Sequence, residues 1–202
     1  VAKNAHTRMT QLCGLAEKGL IAPLIMVDNE KIKKLYPKLT VKKFWTTINN
    51  TVAGLFHVFN VLANKDSEYT TFDATDYDSI MRQSGCMIMG VTSVKNLENE
   101  TAVSSALKKN LEKTLLAEGF DLTTATGAAC IVVGGEVIFE ETVGLMDNIE
   151  FGFDTLAALT GGAMVHRGIY EDPTKDKLVT YTLVSGLKRP AKRIEGLKKF
   201  LK

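Results

Sequence analysis

The sequence predicts an α/β fold in which a long central helix leads into a two-layer domain built on a mixed sheet. Three observations carry this. Apolar residues at Phe44, Ile48, Val52, Leu55, Phe56, Phe59 and Leu62 keep helical spacing through residues 41–64, a run longer than most globular helices. Short apolar segments bounded by Gly, Pro and Asp recur through the second half, as the strands of a sheet do. Amphipathic stretches at 97–117 and 147–160 supply helices to cover that sheet.

Taken in order, residues 3–18 read as a helix closed by Gly19, since glycine enters the left-handed conformation of a C-terminal cap freely. After Pro23, the run at 24–28 reads as a buried strand of a parallel sheet. Asn29 stands just past its end, where open α/β sheets bind ligands; the other reading of Asn29 is a cap for the helix that follows. The long helix ends in a polar stretch through Asp78, followed by a short helix at 79–84 and a strand at 86–92. The 97–117 helix stops at Gly119. Two strands, AACIVVG and EVIFEET, flank Gly134-Gly135, and Gly161-Gly162 follow the 147–160 helix. AMVHRGI and KLVTYTLVS then form a hairpin around DPTKD. A basic helix at 191–202 closes the chain. The organisation is thus a leading segment at 1–40, a connecting helix at 41–66, a mixed-sheet domain at 67–187 and a tail at 188–202.

Composition excludes several classes. Hydrophobic residues make up 45% and charged residues 24%, with a net charge of +2, so the balance is that of a globular protein with no bias toward nucleic acid or a membrane surface. No apolar run approaches a membrane span, and the first residues read as helix, so a secretory leader is not expected. Cys13, Cys86 and Cys130 are odd in number and lie in apolar settings, without metal-ligand spacing. They read as reduced, buried thiols of a cytoplasmic protein. His6, His57 and His166 are scattered; a lone histidine on an apolar helix, like His57, reads as structural. The chain starts at Val1 inside a helical pattern, which predicts that an upstream part is missing.

Few residues offer chemistry. Neither glycine pair belongs to a phosphate-binding motif, and both read as turn or cap. Asp73 and Asp76 are three apart before a helix. They read either as a reciprocal helix cap or as a carboxylate pair that orients a water, as phosphoryl transfer to water requires. Trp45 and Asn49 share one face of the long helix near its start. An indole can stack on a base and an Asn amide can meet a base edge; the other reading of Trp45 is core.

These pieces stand in a recognisable order. LIMVDNEK, WTTINN, FDATD with DSIMRQSGCMIMG, and GAMVHRGIYEDPTKDKLVTYTLVSGL together resemble the FtsZ/tubulin family over nearly the whole chain. The resemblance implies the end of a Rossmann-like GTPase domain, the family's central helix and its C-terminal domain. By the same resemblance Asn29 and Asn49 contact guanine, Trp45 stacks on it, and Arg8 lies near a phosphate-contacting position. Asp73 and Asp76 lie in the synergy loop, which completes hydrolysis in the next subunit of a head-to-tail homopolymer. GTP or GDP with Mg²⁺ would then serve the intact protein, and neither is expected to bind this chain tightly alone. Cell division, shape control and DNA segregation are the processes the family serves.

The sequence also departs from the family. Asn50 stands where many members have Asp, and an amide accepts from guanine protons only through its oxygen. Thr71 stands where many have Asn. Both point to a divergent branch, and keep open a filament or scaffold protein that does not hydrolyse nucleotide. A small-molecule enzyme on a similar mixed sheet is a third reading, opposed by the lack of a convergent Arg, Glu and His set. In the tail, Ile194, Leu197 and Leu201 share one face of a helix whose other side is basic. It reads as docked on its own domain, or as a contact for acidic lipid or a partner protein. Nucleic acid is not expected there, because aromatic and basic residues do not alternate along it.

Overall fold

The computed structural model describes residues 2–199. Eight α-helices and five strands follow in the order α1 (Ala2–Glu17), β1 (Leu24–Ile25), α2 (Asn29–Leu35), α3 (Val41–Leu62), α4 (Ala74–Met81), β2 (Cys86–Ser93), α5 (Ala102–Lys109), β3 (Gly127–Gly134), α6 (Glu136–Glu141), α7 (Leu145–Leu159), β4 (Met164–Glu171), β5 (Val179–Leu187) and α8 (Ala191–Lys198).

All five strands join one mixed sheet in the order β1-β2-β5-β3-β4. β3 lies at the centre of the packing and every residue of it is buried. Its alternation divides the core. Ala128, Cys130 and Val132 face Val103 and Leu107 of α5 and Ile149, Phe153 and Leu156 of α7. Ala129, Ile131 and Val133 face Ile48, Leu55 and Phe59 of α3 and Ile80 of α4. Each large aliphatic side chain so buried stabilises the fold by roughly 1.5–3 kcal/mol. The sheet with α5 and α7 is the expected two-layer domain, and the long helix crosses the sheet's other face.

Several elements depart from expectation, each for a physical reason. EVIFEE is helix, not strand: β4 and β5 already occupy the two edges of β3, so a strand after Gly134 has no partner. Gly135 opens α6 with Glu136 in its first turn, where the helix dipole favours an acid. Gly134-Gly135 is therefore a strand-to-helix junction. The predicted hairpin is unpaired for the same reason, because β3 lies between β4 and β5.

The predicted 97–117 helix is α-helical only from Ala102 to Lys109; a π-helical turn spans Asn110–Thr114. The Asn110 side chain is fully buried there and donates to Thr182 Oγ1 at 3.0 Å, and Leu115 bridges to Gly90 in extended form. The strand expected at 24–28 pairs only at Leu24 and Ile25, parallel to β2, and is half-buried at a sheet edge. The helix placed at 79–84 begins earlier, at Ala74.

Other readings hold. Gly161 and Gly162 have φ of 74° and 84°, and the Gly162 N–H closes α7 onto the Ala157 carbonyl at 2.8 Å. Cys13, Cys86 and Cys130 are free and buried. Burial pushes the Cys130 thiol up to about 12. No helix among the described residues is long and apolar enough to cross a membrane.

Candidate functional site

The segment between α3 and α4 carries Asp73, and it is fastened to β4 at several points. Phe72 is fully buried, its ring edge-on to Phe59 at 6.0 Å. Its N–H donates to the Tyr170 hydroxyl at 2.9 Å, and that hydroxyl lies 3.0 Å from the Leu62 carbonyl at the end of α3. The Ile169 N–H donates to the Thr70 carbonyl at 2.8 Å, and the Ser67 hydroxyl bonds the Ile169 carbonyl. Thr71 Oγ1 accepts from the Ser67 N–H at 3.1 Å. Strand β4 is an edge strand, so its outer backbone groups are free to take these partners. Burial raises the Tyr170 phenol above its ordinary value, with the Asp73, Asp76 and Asp66 carboxylates pushing the same way against the bond to Phe72.

Asp73 caps α4. Its Oδ1 accepts from the Asp76 N–H at 2.8 Å, and Asp76 Oδ2 faces the Asp73 N–H at 3.4 Å. This is the reciprocal capping box read from the spacing. Asp73 is exposed, and among the described residues its second oxygen has no partner. Asp76 is held more firmly: its Oδ1 lies 2.6 Å from His166 Nδ1 on β4.

The base-contacting candidates lie on α2 and α3. Asn29 is the first residue of α2 and is exposed; the cap is its neighbour Asp28, whose Oδ1 accepts from the Glu30 N–H at 2.9 Å. The cap reading of Asn29 is thus overturned, and its amide is left outside the helix ladder's capping bonds. Asn29 lines a cleft of about 680 Å³ with Met9, Met26, Phe120 and Arg193. Trp45, Asn49 and Asn50 are all exposed on α3, Trp45 by 55%. The core reading of Trp45 fails; its ring rests edge-on against Phe44 at 5.5 Å. Arg8 lines a different cleft, of about 640 Å³, with Glu17 and Arg189, and reaches Gln11 at 3.5 Å. Among the described residues, no group of three or more His, Cys, Asp or Glu is arranged to hold a metal.

Helix α8 is docked. Ile194 is buried, and α8 packs along α1. Arg193 Nε lies 2.6 Å from Asp28 Oδ2, Arg189 Nε donates to Glu17 Oε1 at 3.0 Å, and Lys198 pairs with Glu195. Arg189, Arg193 and Lys198 are thus engaged in intramolecular pairs. Leu201, expected on the apolar face, lies outside the described residues.

Sequence reasoning missed His166, Tyr170 and Ser67. Tyr170 meets Phe72 across 98 positions and His166 meets Asp76 across 90, and no local pattern signals such pairs.

Residues 70–191 match the family described as tubulin-like protein TubZ, C-terminal domain. No curated protein matches the chain. Among solved structures, the GTPγS-form protofilament of TubZ from Bacillus thuringiensis serovar israelensis is similar over 98% of this chain and 52% of that one, with a TM-score of 0.77 at 17% identity. The GTPγS-bound protofilament of CetZ2 from Haloferax volcanii is similar over 98% of this chain and 55% of that one, with a TM-score of 0.73 at 15% identity. The FtsZ dimer of M. jannaschii is similar over 83% and 49%, with a TM-score of 0.65 at 19% identity. At these identities the likeness is one of fold. The chain spans about half the length of the structures it matches.

Proposed function

We propose, for a chain that belongs to the tubulin-like TubZ C-terminal domain family, that it is the assembly half of a self-polymerising GTPase and supplies Asp73 and Asp76 to the nucleotide of the next copy. The observation that carries this is the Asp73 carboxylate: it is exposed and one of its oxygens is unpartnered, at the tip of a segment fastened to a sheet edge. Such a group can accept a proton from, or orient, a water brought against it by a neighbour. The protofilament forms of the TubZ and CetZ2 structures support the head-to-tail arrangement.

The nucleotide is proposed to be GTP or GDP with Mg²⁺. The residue types suit one side of a guanine site: Asn29 on α2 and Asn49 and Asn50 on α3 offer exposed amides, and Trp45 an exposed ring. Amides can pair with a base edge and an indole can stack on its face. When bound, the metal supplies the positive charge that lets carboxylates approach a γ-phosphate. The chain carries no glycine-rich loop of phosphate-binding spacing, so phosphate contacts fall to other parts of the intact protein. The division at 1–40, 41–66, 67–187 and 188–202 is proposed in the same terms, as nucleotide-domain segment, connecting helix, assembly domain and tail. The cytoplasm is the proposed compartment.

GTP turnover by the intact protein, measured against its concentration, tests this. Specific activity that rises steeply above a critical concentration is the expected result. A rate independent of concentration means that the site is complete within one subunit. Polymer without turnover supports a scaffold that does not hydrolyse nucleotide, the reading that Asn50 and Thr71 favour.

A further inference from the structure

We infer that His166 is a positioning residue for Asp76, holding its carboxylate on the edge of the sheet while the Asp73 carboxylate stays open to solvent. This rests on the proposed role of Asp73 and Asp76 in trans.

The two carboxylates are held unequally. Asp73 uses Oδ1 to cap α4 and keeps Oδ2 free among the described residues. Asp76 has only a long backbone contact through Oδ2, at 3.4 Å, but a short bond from Oδ1 to His166 Nδ1 at 2.6 Å. An ionised carboxylate only accepts, so Nδ1 carries the proton of this bond. The His166 side chain is 12% exposed and that of Asp76 32%, so the imidazole is shielded while the carboxylate it holds stays partly open to water.

The origin of the imidazole is fixed as well. His166 stands in parallel register with Ala129 of β3, inside a strand whose outer edge also bonds the segment at Thr70. One strand therefore sets both the path of the segment and the orientation of its second carboxylate. Without the imidazole, the remaining 3.4 Å contact leaves the Asp76 side chain free to change rotamer, and a misplaced group near a reacting centre reduces turnover steeply.

The test uses the intact protein and compares His166→Ala, His166→Asn and Asp76→Ala for kcat, KM for GTP and the amount of polymer pelleted. An Asn amide can donate from near the position of Nδ1. The expected result is that His166→Ala lowers kcat by on the order of 10- to 100-fold with KM and polymer unchanged. His166→Asn restores most of the loss, and the double variant with Asp76→Ala is no slower than Asp76→Ala alone. The inference is overturned if Asp76→Ala abolishes turnover while His166→Ala leaves kcat unchanged, or if both His166 variants lose polymer to the same extent, which marks a structural role. If Asp76→Ala itself leaves turnover intact, the role in trans fails and this inference falls with it.

Discussion

The Tyr170 hydroxyl accepts the Phe72 N–H at 2.9 Å inside the core, joining the residue just before Asp73 to an edge strand far along the chain. Phe72 contributes a fully buried ring and Tyr170 is only 1% exposed. One aromatic pair thereby fixes where the exposed carboxylate begins. Removing the hydroxyl leaves a buried N–H unpartnered, a loss of about 1–3 kcal/mol. Tyr170→Phe is expected to lower the urea midpoint accordingly with an unchanged m-value. A shift below about 0.5 kcal/mol means that another acceptor takes the N–H.

Asp73 has a structural task and a proposed chemical one, and two substitutions separate them. Asparagine caps helices nearly as well as aspartate, whereas alanine loses about 1 kcal/mol. Asp73→Asn is therefore expected to keep the melting temperature, and Asp73→Ala to lower it. Both are expected to abolish GTP turnover by the intact protein while leaving GTP binding nearly unchanged. An Asp73→Asn variant with full turnover assigns the residue to capping alone.

The ion pair between α1 and the start of the tail gives a pH signature. Hydrogen bonds from Arg189 hold the Glu17 carboxyl below its ordinary value. A carboxyl depressed in the folded state stabilises above its unfolded value, and that contribution is lost as pH falls through the folded one. Melting temperatures of Arg189→Met and the parent are expected to differ near neutral pH and to converge as pH falls below the ordinary carboxylate range. A gap that persists in acid assigns Arg189 to packing instead. The pair is partly exposed, and added salt is expected to narrow the gap.

Two glycines are expected to respond oppositely to alanine. At Gly135 a Cβ lies 2.1 Å from the Lys175 carbonyl oxygen, so Gly135→Ala forces backbone to move and destabilises by about 1–3 kcal/mol. At Gly54, in mid-α3, a Cβ meets nothing within 4 Å, and Gly54→Ala is expected to stabilise by up to about 1 kcal/mol. Urea unfolding of both variants checks the pair; a destabilised Gly54→Ala shows that this face of α3 is covered.

The sequence by itself determined whatever rests on local periodicity and capping. The α3 spacing from Phe44 to Leu62, the acid pair at Asp73 and Asp76, and the glycine stop at Gly161-Gly162 are properties of neighbours in the chain, and they appear as read. Tertiary structure decided what depends on partners. EVIFEE carries an apolar run compatible with strand or helix, and became helix because both edges of β3 were taken. The β4 and β5 segments carry a good turn sequence between them, yet β3 separates them. Trp45 is an aromatic on an amphipathic helix, and only the packing of α3 against the sheet left it outside. His166 and Tyr170 show no local signal, because their bonds to Asp76 and Phe72 exist only once an edge strand and a distant helix cap meet. Local sequence fixes which backbone conformations are favourable; which side chains meet is fixed by strand order, a property of the whole chain.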